Sequence, residues 1–264
     1  MRPAFTASLT SIELQGKAIQ GAEDRQGKIP GFVQSVFSQA RLLCIGAGGI
    51  VSQIAPTLVR KGVGAITLLD DDLVEASNLN RQRFYERDLG RNKALALARN
   101  LQPECISATE ILGYAFRLEE AIEREVDLEC DVAICGVDNN PARVAASRYF
   151  RSMGVPVVFA AVSTSGDHGY VFIQARDGPC IACLYPDMIN DDRYPCPGTP
   201  AIADILQAVG ALAVYAIDTL LMPRPRCWNY RRISLRDGAQ DGGATIPVRP
   251  GCSMFAPSMS HDAS

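Results

Sequence analysis

The sequence predicts an α/β fold: a Rossmann-like, mostly parallel sheet flanked by helices and continued by antiparallel strands. Three observations predict it. Apolar β-type runs alternate with helix-like runs through the middle of the chain, the pattern that builds a parallel sheet wrapped by helices. One strand-to-helix junction is rich in glycine, as a phosphate-binding turn requires. Of the 264 residues 47% are hydrophobic and 21% charged, the proportions of a globular interior with a solvated surface.

Taken in order, residues 1–40 lack sustained periodicity and read as an N-terminal arm. Strands are expected at Arg41 to Ile45, Ala65 to Leu69, Asp131 to Cys135 and Val155 to Ala161. Helices are expected at Ile50 to Lys61, Arg91 to Leu101, Leu118 to Val126 and Pro141 to Met153. Beyond Ala161 the pattern changes. Tyr170 to Ala175 reads as a strand, a loop rich in Pro, Cys and Asp follows, and then come an Ala201 to Leu221 helix and a strand-like Trp228 to Leu235. That half is expected to extend the same sheet in mixed fashion. The stretch from Gly238 is aperiodic, so one domain over 41–255 leaves 256–264 as a tail.

Charge and cysteine usage narrow the function classes. Lys and Arg number 26 against 29 Asp and Glu, a formal net charge of −3, which argues against a polycationic binder of nucleic acid or of a membrane surface. The longest apolar stretch, Ile205 to Ile217, is interrupted by Gln207 and bounded by Asp204 and Asp218. It falls short of the ~20 apolar residues of a membrane span and reads as a buried helix. Arg2 is followed only by a weakly apolar Pro3 to Leu9, without the core and cleavage site of a secretory signal, so a cytoplasmic protein is expected. Nine cysteines, an odd number, several of them inside apolar runs, suit reduced thiols and one metal site better than a disulfide framework.

The strand Arg41 to Ile45 runs into Gly46-Ala47-Gly48-Gly49 and then into a helix. Glycine permits positive φ and lets a phosphate approach N–H groups at the positive end of the helix. The next strand ends at Asp70, where a carboxylate can accept from a ribose hydroxyl pair. Strand, turn, helix and acid in that order point to a nucleotide site; a tight turn and a surface aspartate is the plainer alternative. Val51 stands where a dinucleotide fold keeps its third glycine, which weighs against NAD. Asp70-Asp71-Asp72, Ser77-Asn78-Leu79-Asn80-Arg81-Gln82, Lys93, and Asp138-Asn139 with Arg143 would bring cations and carboxylates to one carboxyl edge. Arg and Lys there suit a triphosphate, and an acid at a strand end can hold Mg²⁺ against its oxygens. Singly, each reads as well as a solvated charge or a helix cap. Cys180-Ile181-Ala182-Cys183 has the spacing by which two thiolates share one tetrahedral Zn²⁺.

The motifs Gly46 to Gly49, Leu68 to Asp72, Ser77 to Gln82, Asp138-Asn139 with Arg143, and Pro179 to Cys183 resemble those of the ubiquitin-activating-enzyme-like, ATP-dependent adenylyltransferases of the ThiF, MoeB and HesA type. The resemblance covers about Arg41 to Cys252. It implies that Gly48 and Gly49, in the turn begun by Gly46, lie against the phosphates of ATP. Asp70 would hold the ribose with Asp72 close by, Asn78, Arg81 and Lys93 would contact the triphosphate, and Asp138 would be the Mg²⁺-associated aspartate. The reaction implied is attack by a carboxylate on the α-phosphorus of ATP, giving an acyl adenylate and pyrophosphate. That carboxylate is usually the C-terminal glycine of a small ubiquitin-like or sulfur-carrier protein.

By the same resemblance, Arg25 in Asp24-Arg25-Gln26 reaches the phosphates of the neighbouring subunit of a homodimer; an exposed loop arginine is the competing account. Cys196 stands where many relatives carry a thiol that links covalently to the partner, with an inert loop cysteine as the alternative. The family completes its zinc site with a second C-x₂-C, whose first half here is Pro250-Gly251-Cys252, while Phe255 stands at the fourth position. Cys180, Cys183 and Cys252 would then hold Zn²⁺ with His261, Cys227 or water. Adenylation of a short peptide by the same site, an NAD(P)-dependent oxidoreductase and a non-catalytic partner subunit are the alternatives. Arg81, Lys93 and Asp138 together argue against the last two.

Overall fold

The computed structural model describes residues 9–190, 201–222, 224–236, 238–252 and 254. In chain order the described elements are β1 (Ser11–Gln15), α1 (Gln34–Phe37), β2 (Arg41–Ile45), α2 (Gly49–Arg60), β3 (Ala65–Leu69), α3 (Lys93–Leu101), β4 (Glu110–Tyr114) and α4 (Leu118–Glu123). They continue with β5 (Val132–Cys135), α5 (Asn140–Ser152), β6 (Val157–Val162), β7 (His168–Gln174), α6 (Ile181–Leu184), α7 (Ala203–Leu221), β8 (Tyr230–Ser234) and β9 (Gly242–Ala244).

Strands covered by helices on both faces are mostly apolar, and β2 after Arg41, β3 apart from Thr67, and β5 are such runs, with β3 and β5 buried at every residue. The nine strands form one sheet in the order β1-β4-β3-β2-β5-β6-β7-β8-β9. From β4 to β6 the neighbours are parallel; β1 and the run β7-β8-β9 are antiparallel. The expected mixed extension is therefore present. Leu42 and Cys44 of β2 join one core with α2, α3 and α7, whereas Leu43 and Ile45 join the other with Phe150 of α5 and Ile181 of α6. Strand alternation thus feeds two layers of helices.

Two strands form in stretches that read as aperiodic in the sequence, one in the expected arm and one in the part of the expected domain beyond Gly238. Ser11–Gln15 alternates exposed and half-buried residues and pairs antiparallel with β4, so part of the arm is an edge strand of the sheet. Gly242–Ala244 closes the other edge against β8. Helix α7 is long and apolar enough, by length and composition, to cross a membrane, and here Ile205, Leu206, Val209, Ala213 and Ile217 are buried in the fold. Chain order reverses direction at β2, whose neighbours are β3 and β5. The crevice outside the carboxyl ends of β2 and β5 is therefore the position at which open α/β sheets bind ligands.

Candidate functional site

The ends of β2, β3 and β5 are level: Ile45 pairs with Leu69 on one side and with Cys135 on the other. Gly46, Asp70 and Gly136 consequently share one rim of the crevice. Gly46 adopts φ +84°, a left-handed conformation that favours glycine, and its N–H donates to Leu69 O at 2.8 Å. Gly48 is the N-cap of α2 and no side chain caps that end. Open N–H groups and the helix dipole there suit an anion.

Val51 packs fully buried behind the turn. The close approach that a third glycine would allow is made from the opposite side, because a Cβ at Gly136 would lie 2.8 Å from Val51 Cγ2. The glycine has moved from the helix to the facing strand end. A Cβ at Gly49 would meet Leu206 of α7 at 3.1 Å, so that glycine also admits α7 to the layer.

Asp70 is nine-tenths buried. One carboxylate oxygen accepts from Ala47 N at 2.6 Å and the other from Asp72 N at 2.8 Å. The residue expected on the ribose therefore also pins the glycine turn, and each oxygen keeps a second lone pair. Burial pushes its carboxyl up to about 6, although Lys93 and the Ala47 N–H draw it down.

Lys93 opens α3, which Asn92 caps by accepting from Leu95 N at 3.1 Å. Its Nζ lies 2.8 Å from Asp72 Oδ2, with the Lys93 side chain 11% exposed and that of Asp72 68%. Burial disfavours the ammonium, but Asp70, Asp72 and Asp138 more than offset this, so its pKa is raised. One enclosed cation thus answers to three carboxylates on the rim. Asp138 is exposed beyond β5. Its loop is held by Arg143, which donates to Val137 O and to Asn140 Oδ1, both at 2.9 Å. Asn139 caps α5 by accepting from Ala142 N at 2.9 Å.

Asn78 is buried and its Oδ1 accepts from Glu75 N at 3.0 Å, shaping the turn Ala76–Asn78. Arg81 Nη1 donates to Ser77 O at 2.5 Å and to Asn80 Oδ1 at 3.0 Å. Its main-chain carbonyl is bound by Gln53 of α2 at 2.7 Å, which sets the segment against the helix that carries the turn. Ser52 and Gln53 were not among the expected site residues; Ser52 is buried and Gln53 half-buried in α2, and only the fold shows what they hold.

Arg25 is exposed at the other end of α2. Its neighbour Gln26 donates to Lys61 O at 2.9 Å and to Gln34 Oε1 at 2.6 Å. A helix of twelve residues is about 18 Å long, so Arg25 does not reach the turn of its own chain.

The sulfurs of Cys180, Cys183 and Cys252 all lie within 4.8 Å of one another. Cys180 Sγ is 3.4 Å from Cys252 Sγ and 3.7 Å from Cys183 Sγ, and the Arg249 N–H donates to Cys183 Sγ at 3.4 Å. Three convergent sulfurs with N–H donors suit one tetrahedral cation. Cys227, one of the three alternatives for the fourth position, is exposed just ahead of β8 and outside this group. Cys196, Phe255 and His261 lie outside the described residues.

Residues 22–254 match the ThiF family. The chain belongs to that family. It is an ATP-dependent adenylyltransferase, which leaves the oxidoreductase alternative without support. It is 29% identical to the SAMP-activating enzyme E1 of Haloferax volcanii over 83% of this chain and 81% of that protein. It is also 29% identical to the sulfur carrier protein adenylyltransferase of Thermus thermophilus, over 71% and 72% of the two chains. The crystal structure of Escherichia coli MccB with ATP superimposes with a TM-score of 0.70 at 20% identity, covering 89% of this chain and 74% of that one. That likeness is one of fold.

Proposed function

We propose that the chain transfers AMP from ATP to the C-terminal carboxylate of a small ubiquitin-like or sulfur-carrier protein. The observation that carries this is Lys93, enclosed among Asp70, Asp72 and Asp138 on the rim that also bears the Gly46–Gly49 turn. A carboxylate is already a nucleophile, so the chemistry needs position and charge neutralisation rather than a general base. The substrate oxygen forms a bond to the α-phosphorus as the bond from that phosphorus to the α,β-bridging oxygen breaks, and pyrophosphate leaves with the electron pair. Open N–H groups of α2, Lys93 and Arg81 offset the negative charge, Asp70 accepts from the ribose, and Asn78 shapes the loop that carries Arg81. Asp138 with Asp72 supplies the oxygen ligands that suit Mg²⁺, which would neutralise phosphate oxygens there.

The partial site in each chain supports a homodimer in which Arg25 reaches the neighbour's phosphates, because it stands far from its own. Cys180, Cys183 and Cys252 are proposed to hold a structural Zn²⁺, and Cys196 to take up the activated acyl group as a thioester, releasing AMP. The eight described cysteines are all free, which supports a reducing compartment, the cytoplasm.

The test is ATP–pyrophosphate exchange with small proteins ending in Gly-Gly and with short peptides, each offered singly. Exchange supported by a carrier protein is the expected result. Exchange supported by peptides alone would replace the carrier with a peptide substrate.

A further inference from the structure

The segment Ser77–Arg83 crosses the amino end of α2 and is lashed there by three hydrogen bonds. Gln53 Nε2 donates to Arg81 O at 2.7 Å, Arg83 N to Ser52 Oγ at 3.2 Å, and Arg83 Nε to Gln53 Oε1 at 2.9 Å. Gln82 lies between the two anchored residues and is nine-tenths buried. Its Oε1 is fully enclosed and has no hydrogen-bond partner among the described residues. Its Nε2 faces the turn, 4.0 Å from where a Cβ on Gly48 would be. The contact is thus made over the residue whose lack of a side chain opens the approach to the helix end.

An enclosed acceptor without a donor destabilises the free chain, and such groups are rare unless something outside the chain pairs them. A hydrated polyphosphate offers both halves of the match. Its oxygens accept from a carboxamide N–H, and, since Oε1 is sealed in the free chain, a turn of the side chain toward Gly48 on binding brings that oxygen out to a water carried by the ligand. We propose that Gln82 binds the hydrated triphosphate of ATP above Gly48, and that Gln53 is the positioning residue holding Gln82 and Arg81 against α2. This rests on the adenylation reading of the same site. It adds two residues that the turn, the rim carboxylates and Lys93 do not include.

The experiment is calorimetry with ATP·Mg²⁺ and with AMP on the full chain and on Gln82→Leu, Gln53→Ala, Arg81→Ala and the Gln53→Ala/Arg81→Ala double variant, with thermal melts of each nucleotide-free protein. Gln82→Leu should weaken ATP·Mg²⁺ about tenfold and leave AMP within about twofold. Its melting temperature should hold or rise, because an apolar side chain of similar shape removes an unpaired group. Gln53→Ala should weaken ATP·Mg²⁺ by itself and cost less in the Arg81→Ala background than in wild type, since Arg81→Ala keeps the carbonyl that Gln53 holds and removes only the guanidinium that this contact positions. A wild-type chain that binds no ATP·Mg²⁺ defeats the nucleotide reading itself. If wild type binds and Gln82→Leu binds equally well, or loses AMP and ATP alike with a lowered melting temperature, Gln82 is packing and the inference is overturned. Additive losses in the double variant overturn the role of Gln53.

Discussion

Replacing Lys93 by Met removes the enclosed cation while keeping the length and apolar stem of the side chain. A unit charge about 4 Å from a phosphate oxygen interacts by about 4 kcal/mol at an effective dielectric constant near 20. Asp72, at 2.8 Å, already neutralises part of that charge, so a loss of about 3 kcal/mol, or roughly a hundredfold in exchange rate, is expected. Folding should respond far less. The Asp72 carboxylate is 68% exposed, and pairs of that kind are worth about 0–1 kcal/mol. There is a second consequence: Lys93 holds down the Asp70 carboxyl, which already stands at about 6. In Lys93→Met that carboxyl rises further and Asp70 is more protonated at neutral pH. Initial rates of ATP–pyrophosphate exchange at pH 7 and pH 8.5, with melting curves at both, read these effects together. The variant should recover part of its loss at pH 8.5. A variant that exchanges within threefold of wild type at pH 7, or that unfolds before it loses activity, refutes the reasoning.

Asp138 is exposed, so Asp138→Ala should abolish exchange with a melting temperature within about 2 °C of wild type; an equal loss of both would make it a structural residue. The raised pKa of Asp70 means that its favourable contribution to folding is complete below about pH 4 and is lost as pH rises through about 6. Its capacity to accept from a ribose runs the other way, so nucleotide affinity measured by calorimetry should fall as pH drops through 6, and Asp70→Asn should flatten that step. Gly136→Ala should destabilise the protein by about 1–3 kcal/mol through its clash with Val51, and Val51→Ala should restore it in denaturant melts; destabilisation that persists in the double variant would place the strain elsewhere.

How much of this could be read from the sequence varies with the kind of signal. The strands β2 and β3 are legible to the residue because helices cover both faces and the runs are almost wholly apolar, broken only by Arg41 at the start of β2 and Thr67 within β3. Edge strand β1 carries a period of two in only five residues, Ser11–Gln15, inside an otherwise aperiodic stretch, and it disappears there. Strand β4 contains Glu110 and Gly113, both poor strand formers, and a Cβ at Gly113 would meet the α3 carbonyl of Ala94 at 3.1 Å. That glycine answers to the preceding helix, which packs back over the strand. Helix α4 stops at Glu123, short of the expected Val126, where Glu125 turns to φ +54°.

The site divides in the same way. The glycines and Asp70 announce themselves by their place at strand ends. Val51 hides its compensation, since Gly136 is far away in sequence and faces it only after β2 and β5 pair. The tie between Gln53 and Arg81 likewise joins two segments that no local pattern connects.

The most direct measurement is pyrophosphate exchange with one carrier protein prepared in two forms, its C terminus free and its C terminus amidated. Adenylation by attack of the carboxylate predicts exchange with the free acid and none with the carboxamide, and loss of the former in Asp138→Ala. Equal exchange with both forms, or exchange without any partner, would contradict it.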